Sequence, residues 1–229
     1  MKPLVRSPRD SRPLAVQVYE QLRDLVVTGE LSAEFQLVQE QVAEQLGVSR
    51  TPVRDALNRL ALEGLVTWVP GKGYVVNELT SQDIVEVYRV RLNLELLATE
   101  LACGHHDAAT LTRLQALIEE MEDADPADAA LQFDLNRHFH RTLIEPCENR
   151  FLLKMIDTLW DHPVNRRITR SYVRTSANVA VMLKEHKQLL KAATARDLER
   201  LLDVAERHMF TGYKVAVRAS GEPTPEIFA

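Results

Sequence analysis

The chain has 229 residues, of which 45% are apolar and 27% charged, a composition typical of globular proteins and long enough for one large or two modest domains. Its net charge of −5 argues against a protein that coats nucleic acid regardless of sequence, although a local basic surface is enough to recognise a specific site. The chain contains no apolar run of 18 residues and no signal-peptide core at its start, which predicts a cytoplasmic protein without a membrane partner.

The first part of the chain is a basic segment followed by a helix. Residues 1–12 are basic and contain prolines, which predicts a flexible arm. From Pro13 the apolar residues recur at helical spacing until Gly29, and the resulting helix is expected to pack beneath the elements that follow. Residues 30–37 are predicted to be a connector.

Two short helices joined by a tight turn are predicted between Gln39 and Gly64. The first ends at Gly47, the residue type that most easily adopts the left-handed conformation at a helix end. Ser49 is placed to cap the second helix. The apolar stripe of this second helix consists of Val53, Leu57 and Leu60. Its polar side carries Arg50, Thr51, Arg54 and Asn58. A helix with one apolar and one polar side can pack on a domain and still enter a DNA groove.

A β-hairpin is predicted directly after these helices. Residues 65–69 and 74–76 are β-prone and flank a glycine-rich tip that carries Lys72. Helix, turn, helix and hairpin together predict a winged helix-turn-helix at 13–77, with the second helix in the major groove of DNA. Arginine can pair with guanine edges or hold phosphates. The predicted DNA-binding residues are Ser49, Arg50, Thr51, Arg54, Arg59, Lys72 and Gly73.

These segments carry a resemblance to a known family. The runs 46–57, 63–66 and 71–76 closely resemble the DNA-binding domain of GntR-family bacterial repressors. The resemblance extends from about Leu14 to Asn77 and joins the turn, the recognition helix and the wing in the same order. It implies a sequence-specific repressor that binds double-stranded operator DNA as a homodimer.

Strand patterns end after Val76, and residues 78–219 are predicted to be entirely helical. The predicted helices span 82–103, 107–123, 126–145, 149–170, 176–193 and 197–218. Pro163 indicates a kink or break within the fourth. The final residues, 220–229, contain two prolines and are predicted to be a loose tail. The fold class is therefore mainly α, with an N-terminal winged helix-turn-helix and a C-terminal six-helix bundle.

Histidines on the apolar sides of three helices form a candidate metal site. Asn136 and His140 lie one turn apart on the apolar side of the third helix, where hydrogen-bonding groups need partners. His186 and His208 lie on the apolar stripes of two later helices. These four side chains can surround a divalent ion, with zinc or nickel favoured by the imidazole ligands. Each histidine can instead be a hydrogen-bonded core residue. The pair Asp134 and His138 has similar spacing but lies on the polar face, so we reject it.

The helical part also resembles a known domain. Residues from Thr80 to about Val217 are similar to the all-helical effector (FCD) domain of the FadR-type subfamily of GntR regulators. The matching pieces are 79–80, 83–84, Tyr88, 91–95, 136–137, 139–141, Asn149 and 185–186. The resemblance implies a metal held by Asn136, His140, His186 and His208, with Asn at the usual Asp position. It also implies a small organic-acid effector near Arg91 or Arg167, and six helices point to the shorter, VanR-like branch.

Two other classes of protein compete with a ligand-responsive transcription regulator. A helical metalloenzyme or metal-binding protein is the main alternative, because three histidines can leave a metal position open for water. The sequence contains no HExxH motif, no carboxylate pair and no activated serine or cysteine arrangement, which argues against an enzyme. A structural helix bundle is the third class and would leave the helix-turn-helix unexplained.

Overall fold

The computed structural model describes residues 11–173 and 175–220. Most of the predicted basic arm (residues 1–10) and nearly all of the predicted loose tail (residues 221–229) lie outside the described residues. Within the described ranges the chain forms ten α-helices and three short strands, and it divides into two compact units. The first unit holds residues up to Leu79 together with His162–Arg167, and the second holds Thr80–Asp161 and the residues from Ile168 onward.

The first unit is a winged helix-turn-helix, as predicted. Its elements are α1 (Leu14–Thr28), β1 (Gln36–Leu37), α2 (Gln39–Leu46), α3 (Arg50–Leu62), β2 (Val66–Val69) and β3 (Gly73–Val76). Helices α1 and α2 end at Gly29 and Gly47, and both glycines adopt the left-handed conformation. The apolar stripe of α3 is fully buried against α1, so the opposite side of α3 remains exposed.

The sheet contains one strand more than the predicted hairpin. Strands β2 and β3 form the hairpin, and β1 pairs antiparallel with the other edge of β3, through Gln36 opposite Val75 and Leu37 opposite Tyr74. The prediction of a plain connector at 30–37 was therefore wrong at its end. A strand of two residues is too short to show an alternating pattern, so only its pairing with β3 reveals it.

Every regular element described in the second unit is a helix. Its helices are α4 (Ser81–Ala102), α5 (Ala108–Asp123), α6 (Ala129–Ile144), α7 (Arg150–Asp161), α8 (Pro163–Tyr172), α9 (Ser176–Ala195) and α10 (Leu198–Ser220), with a 3₁₀ turn at Glu145–Cys147. The first five residues of α8 belong to the first unit. In the second unit, α4 packs against α10, and α5 packs against α6 and α9. Their apolar sides enclose one core.

The predicted count of six helices is corrected to seven, because the predicted fourth helix is two helices. Helix α7 ends at Asp161 and α8 begins at Pro163. Proline has no backbone N–H and its ring clashes with the preceding turn, which explains the break at this position. The helix count therefore no longer supports placing the chain in the VanR-like branch.

Two predicted helix starts also move: α6 begins three residues later than predicted and α4 one residue earlier. Helix α6 begins after Asp128, whose carboxylate accepts hydrogen bonds from two backbone N–H groups, and not after Asp125. Asp125 instead accepts from the backbone of Ala127 in the turn that precedes the helix. Thr80 caps α4 in a reciprocal capping box with Asp83, which fixes where the helical unit starts.

Candidate DNA-binding surface and metal centre

The recognition helix α3 presents its polar side to solvent. Arg50, Thr51 and Arg54 are all exposed. The Arg50 guanidinium lies 2.7 Å from the Glu40 carboxylate of α2, and Arg54 contacts Asp55 at 3.4 Å. Exposed ion pairs of this kind contribute little to stability and exchange readily, so both arginines remain available to an anionic ligand.

Ser49 and Arg59 are predicted DNA-binding residues that lie at the start and near the end of α3. Ser49 occupies the N-cap position of α3, but its side chain makes no capping hydrogen bond within the described residues. The Arg59 guanidinium lies 3.7 Å from the centre of the Tyr19 ring of α1 and donates to Glu63. Because Arg59 is held against α1, away from the side that carries Arg50 and Arg54, we leave it out of the proposed contact set.

The wing is attached to α3 and to β1 by specific contacts. Tyr74 of β3 donates its hydroxyl hydrogen bond to Asn58 of α3. Gly73 has φ of +83°, and a Cβ at this position would lie 3.0 Å from the Leu37 carbonyl oxygen. Glycine is therefore required for the close approach of β3 to β1. Lys72 is exposed in the turn between β2 and β3, at the predicted tip of the wing.

Three of the predicted metal ligands meet in the core of the second unit. His140 (α6), His186 (α9) and His208 (α10) are all buried, and one ring nitrogen from each lies within 4.8 Å of the others. The Nε2 atoms of His140 and His208 are 3.0 Å apart. The sequence placed each histidine on an apolar stripe, and the packing of α6, α9 and α10 brings the three stripes together.

Two carboxylates contact the other nitrogens of these imidazoles. His140 Nδ1 lies 3.1 Å from Glu95 Oε2, and His208 Nδ1 lies 2.8 Å from Glu185 Oε2. Glu185 also accepts a hydrogen bond from Thr211. Neither glutamate carries a predicted role from the sequence. The available signal was weak, because a glutamate in a helix is usually exposed, and the sequence does not show that Glu95 is buried or that Glu185 faces His208.

The orientation of these imidazoles fits a bound cation. A carboxylate at Nδ1 favours the tautomer with its proton on that nitrogen, so each Nε2 carries a lone pair. Two lone pairs facing one another at 3.0 Å repel unless a proton or a metal ion lies near them. Two nitrogens that each bind one ion at about 2.1 Å are about 3.0 Å apart at a right angle and about 3.4 Å apart at the tetrahedral angle of zinc. The observed separation therefore suits two ligands of one metal.

His186 and Asn136 add buried polar atoms that lack a partner. Neither ring nitrogen of His186 has a hydrogen-bond partner within the described part of the chain, and the same holds for Asn136 Oδ1. The His186 ring stacks on Phe139 with ring centres 4.0 Å apart, which fixes its plane. Buried polar atoms without partners cost free energy, and a metal ion would satisfy them. The residues present thus fit a divalent ion.

Burial keeps the site suited to metal binding near neutral pH. Burial lowers the pKa of His140, although its contact with Glu95 opposes this effect. Burial and the two neighbouring imidazoles lower the pKa of His186 well below its usual value. Burial alone would raise the pKa of Glu95, but Arg91 and the hydrogen bond from His140 lower it to about 2. Neutral imidazole and ionised carboxylate are the forms that a metal centre uses.

Of the two predicted effector-binding arginines, the structure brings one to this centre. Arg91 is buried, donates from Nε to Glu95 at 2.9 Å, and its guanidinium lies 4.2 Å from the Trp160 ring. Arg167 instead donates to the Asn77 carbonyl oxygen in the first unit. The rejected pair Asp134 and His138 is exposed on the outer side of α6.

A small polar cavity adjoins the histidines. It has a volume of about 10 Å³, roughly the space of one water molecule. Its walls include Tyr88, Arg91, Asn136, Thr169 and Tyr172. The Tyr172 hydroxyl is buried and has no hydrogen-bond partner among the described residues. The Arg91 guanidinium and the Tyr172 hydroxyl can both donate to a small anion in this cavity.

The chain matches two models of protein families, one after the other along the sequence. Residues 14–76 match "Bacterial regulatory proteins, gntR family", and residues 86–211 match the FCD domain. The transcriptional regulator McbR of Escherichia coli (strain K12) is 32% identical over 81% of this chain and 85% of that protein. The transcriptional repressor GlaR of the same organism is 26% identical over 88% of this chain and 94% of that protein.

Solved structures support the same assignment. The structure of E. coli McbR/YncC superposes with a TM-score of 0.69 and 26% sequence identity, and covers 91% of this chain and 99% of that one. A winged helix-turn-helix with exposed arginines, followed by a helical domain with a buried polar centre, defines a DNA-binding transcription regulator and not an enzyme. The chain belongs to the GntR family and carries the FCD effector domain of its FadR-type members.

No helix in the described ranges has both the length and the apolar character needed to cross a membrane.

Proposed function

We propose that this regulator is a homodimeric repressor whose affinity for operator DNA is controlled by a small organic acid bound at a divalent metal ion in the helical domain. The observation that carries the proposal is the convergence of His140, His186 and His208, with nitrogens within 4.8 Å of one another, beside a cavity lined by Arg91. The relative GlaR is a transcriptional repressor by name, which supports this direction of control.

His140, His186 and His208 would hold the ion, with Asn136 as a fourth, neutral ligand. Glu95 and Glu185 orient two of the imidazoles, so that lone pairs are directed to a common point. When bound, the ion supplies a Lewis-acidic position for a carboxylate oxygen of the effector. Zinc and nickel suit a set of imidazole ligands, and an amide in place of a carboxylate lowers the negative charge of the site.

Arg91 provides the second charge for the effector. Its Nε is engaged by Glu95, while its Nη1 lies 3.4 Å from the Thr169 hydroxyl at the cavity wall. Water screens this buried guanidinium little, and the charge that its ion pair with Glu95 leaves over is available to an anion. A cavity of about 10 Å³ is too small for an organic acid. Binding therefore requires side chains such as Tyr88 and Met209, which line the cavity, to move.

On the DNA side, the proposed contacts are made by Ser49, Arg50, Thr51, Arg54, Lys72 and Gly73. The exposed arginines of α3 are placed for the major groove, and Lys72 is placed at the wing tip for phosphates. Two copies of α3 in a dimer would contact two half-sites, which multiplies the specificity of a helix that contacts only a few base pairs.

Metal content tests the first part of the proposal. Protein purified without an affinity tag and incubated with zinc or nickel is expected to retain about one ion per chain, and its melting temperature should fall when a chelator is added. His208→Ala should lose the ion. His138→Ala is a matched control, because it removes an exposed imidazole from the outer side of α6. A wild type that retains no ion, or an equal loss of the ion from both variants, would contradict the metal site.

Effector control is tested on the metal-loaded protein. A duplex is first selected by the protein from a random-sequence pool. It is then titrated with the protein, and the DNA affinity is compared with and without small mono-, di- and tricarboxylates. At least one acid should change DNA affinity in the wild type and fail to do so in Arg91→Lys, which keeps a charge but loses the planar guanidinium. An acid that acts equally on both proteins would remove Arg91 from the effector site.

A further inference from the structure

An aromatic side chain on the wing remains largely in solvent. Trp68 of β2 has 58% of its surface exposed. Large aromatic side chains on a surface are common at binding interfaces, because they bury much apolar area with little loss of conformational freedom. Trp68 belongs to none of the contacts proposed above.

The strand register defines the direction of Trp68. It lies directly opposite Tyr74 in the antiparallel pair of β2 and β3, and opposite residues share one face of a sheet. Tyr74 donates its hydroxyl hydrogen bond to Asn58 of α3. Trp68 therefore lies on the face of the hairpin that is turned toward the recognition helix.

The position of Trp68 is continuous with the proposed DNA surface at both ends. Asn58 lies one helical turn beyond Arg54 on α3, and the turn that carries Lys72 begins at Val69, the residue after Trp68. In a winged helix-turn-helix the recognition helix occupies the major groove and the wing approaches the neighbouring minor groove. Because Trp68 lies on the hairpin face turned toward α3, a duplex bound in this way would bring its sugar–phosphate backbone close to the indole.

We propose that Trp68 packs its indole against the sugar–phosphate backbone of bound duplex DNA, between the groove occupied by α3 and the groove approached by the wing. The inference rests on the proposed role of α3 as the recognition helix. The indole face covers apolar sugar carbons, and its N–H can donate to a phosphate oxygen. The contact involves no base edge and no charge. It therefore contributes affinity on any sequence without changing the number of counterions released.

Binding measurements test this assignment with full-length protein and two probes, a duplex selected from a random-sequence pool and an unselected duplex of equal length. Trp68→Ala should weaken binding to both probes by a similar factor of about five or more, with an unchanged dependence on salt. Lys72→Ala should lower the slope of log affinity against log salt by about one. Thr67→Ala alters the opposite face of the same strand and should bind as the wild type does.

Fluorescence provides an independent readout, because the chain has two tryptophans and Trp160 is only 2% exposed. Acrylamide should quench Trp68 in the free protein, and either duplex should protect it. In Trp68→Phe, which retains only Trp160, adding DNA should leave the quenching unchanged. The folding of each variant is checked by its melting temperature.

Each contrary outcome has a separate meaning. If the wild type binds DNA while Trp68→Ala binds equally well and DNA does not protect Trp68, the inference is wrong and the regulator function stands. If Trp68→Ala weakens only the selected duplex, Trp68 contacts bases and the backbone assignment is wrong. A wild type that selects no duplex overturns the proposed function and this inference with it.

Discussion

Glu185 illustrates how one side chain can act on a site through another. Its two oxygens accept hydrogen bonds from His208 and Thr211, so the carboxylate is held on both sides and the imidazole cannot rotate freely. Glu95 acts in the same way on His140 and is itself held by Arg91. A chain of contacts therefore connects the arginine at the cavity to a proposed metal ligand.

We expect Glu185→Gln to weaken metal binding about tenfold or more, because the amide keeps the shape of the side chain but removes the charge that stabilises the Nδ1–H tautomer of His208. Competition with a fluorescent chelator measures this affinity. Glu122→Gln is the control, since Glu122 is an exposed carboxylate paired with Lys187. Equal affinities of the Glu185 variant and the wild type would show that this carboxylate does not orient a ligand.

At the DNA surface, Arg54→Ala should reduce affinity for the selected duplex by about tenfold or more, in line with about 1–3 kcal/mol for one bidentate contact. Gel-shift titration at fixed salt measures the change, and circular dichroism verifies folding. Arg207→Ala removes an exposed arginine paired with Asp203 in the helical unit and should leave affinity unchanged. If both variants lose the same affinity, the loss reflects total charge and not contact by Arg54.

At the scale of the element, short backbone features decide where helices and strands end. The capping box of Thr80 and Asp83 satisfies backbone N–H groups in the first turn of α4 and defines its first residue. In the sheet, the left-handed conformation of Gly73 allows β3 to approach the backbone of Leu37. For each feature we expect a measurable change in the free energy of unfolding when the residue is substituted.

Gly73→Ala should destabilise the winged unit more than Gly71→Ala does. Both glycines have positive φ, so each substitution introduces backbone strain of about 1 kcal/mol. Only at Gly73 does the added Cβ also meet a backbone atom, the Leu37 carbonyl oxygen. Urea unfolding of both variants measures the difference. Equal unfolding midpoints of the two variants would mean that β1 can move away from β3 without loss of stability.

Thr80→Ala should lower the stability of the helical unit by about 1 kcal/mol, because α4 loses its N-terminal side-chain cap. Thr112→Ala is the matched substitution inside a helix, where the hydroxyl only contacts the carbonyl of Ala108 on an exposed surface. Its effect should be within about 0.5 kcal/mol of zero. Chemical unfolding followed by far-ultraviolet circular dichroism compares the two, and a larger loss in the Thr112 variant would contradict the assignment of the cap.

At the scale of the whole molecule, the proposed dimer gives a simple expectation. One chain has a mass of 26.0 kDa, and light scattering should report about twice this value for the free protein and two chains on each bound duplex. Selected duplexes should contain two related half-sites, since an isologous dimer presents two copies of α3. A single chain bound to one half-site would contradict the proposal.

The sequence by itself determined the elements whose signals are local. The positions of Gly47 and Gly64, the apolar stripe of α3 and the glycine-rich tip of the hairpin predicted the winged helix-turn-helix, and the family comparison agrees. The apolar stripes of α6, α9 and α10 placed His140, His186 and His208 inside the helical unit, where they are buried. Helical periodicity predicts which side of a helix is buried, because that side must pack against other apolar surfaces.

Only the tertiary structure decided which buried sides meet. Periodicity carries no information about a helix's neighbours, so the approach of the three histidines and the burial of Glu95 against His140 became visible only in the packed unit. Likewise, the sequence does not show what Arg59 contacts, and the packing of α1 places Tyr19 beneath its guanidinium. Strand β1 exists because β3 offers an unpaired edge, and a two-residue segment has no pattern of its own.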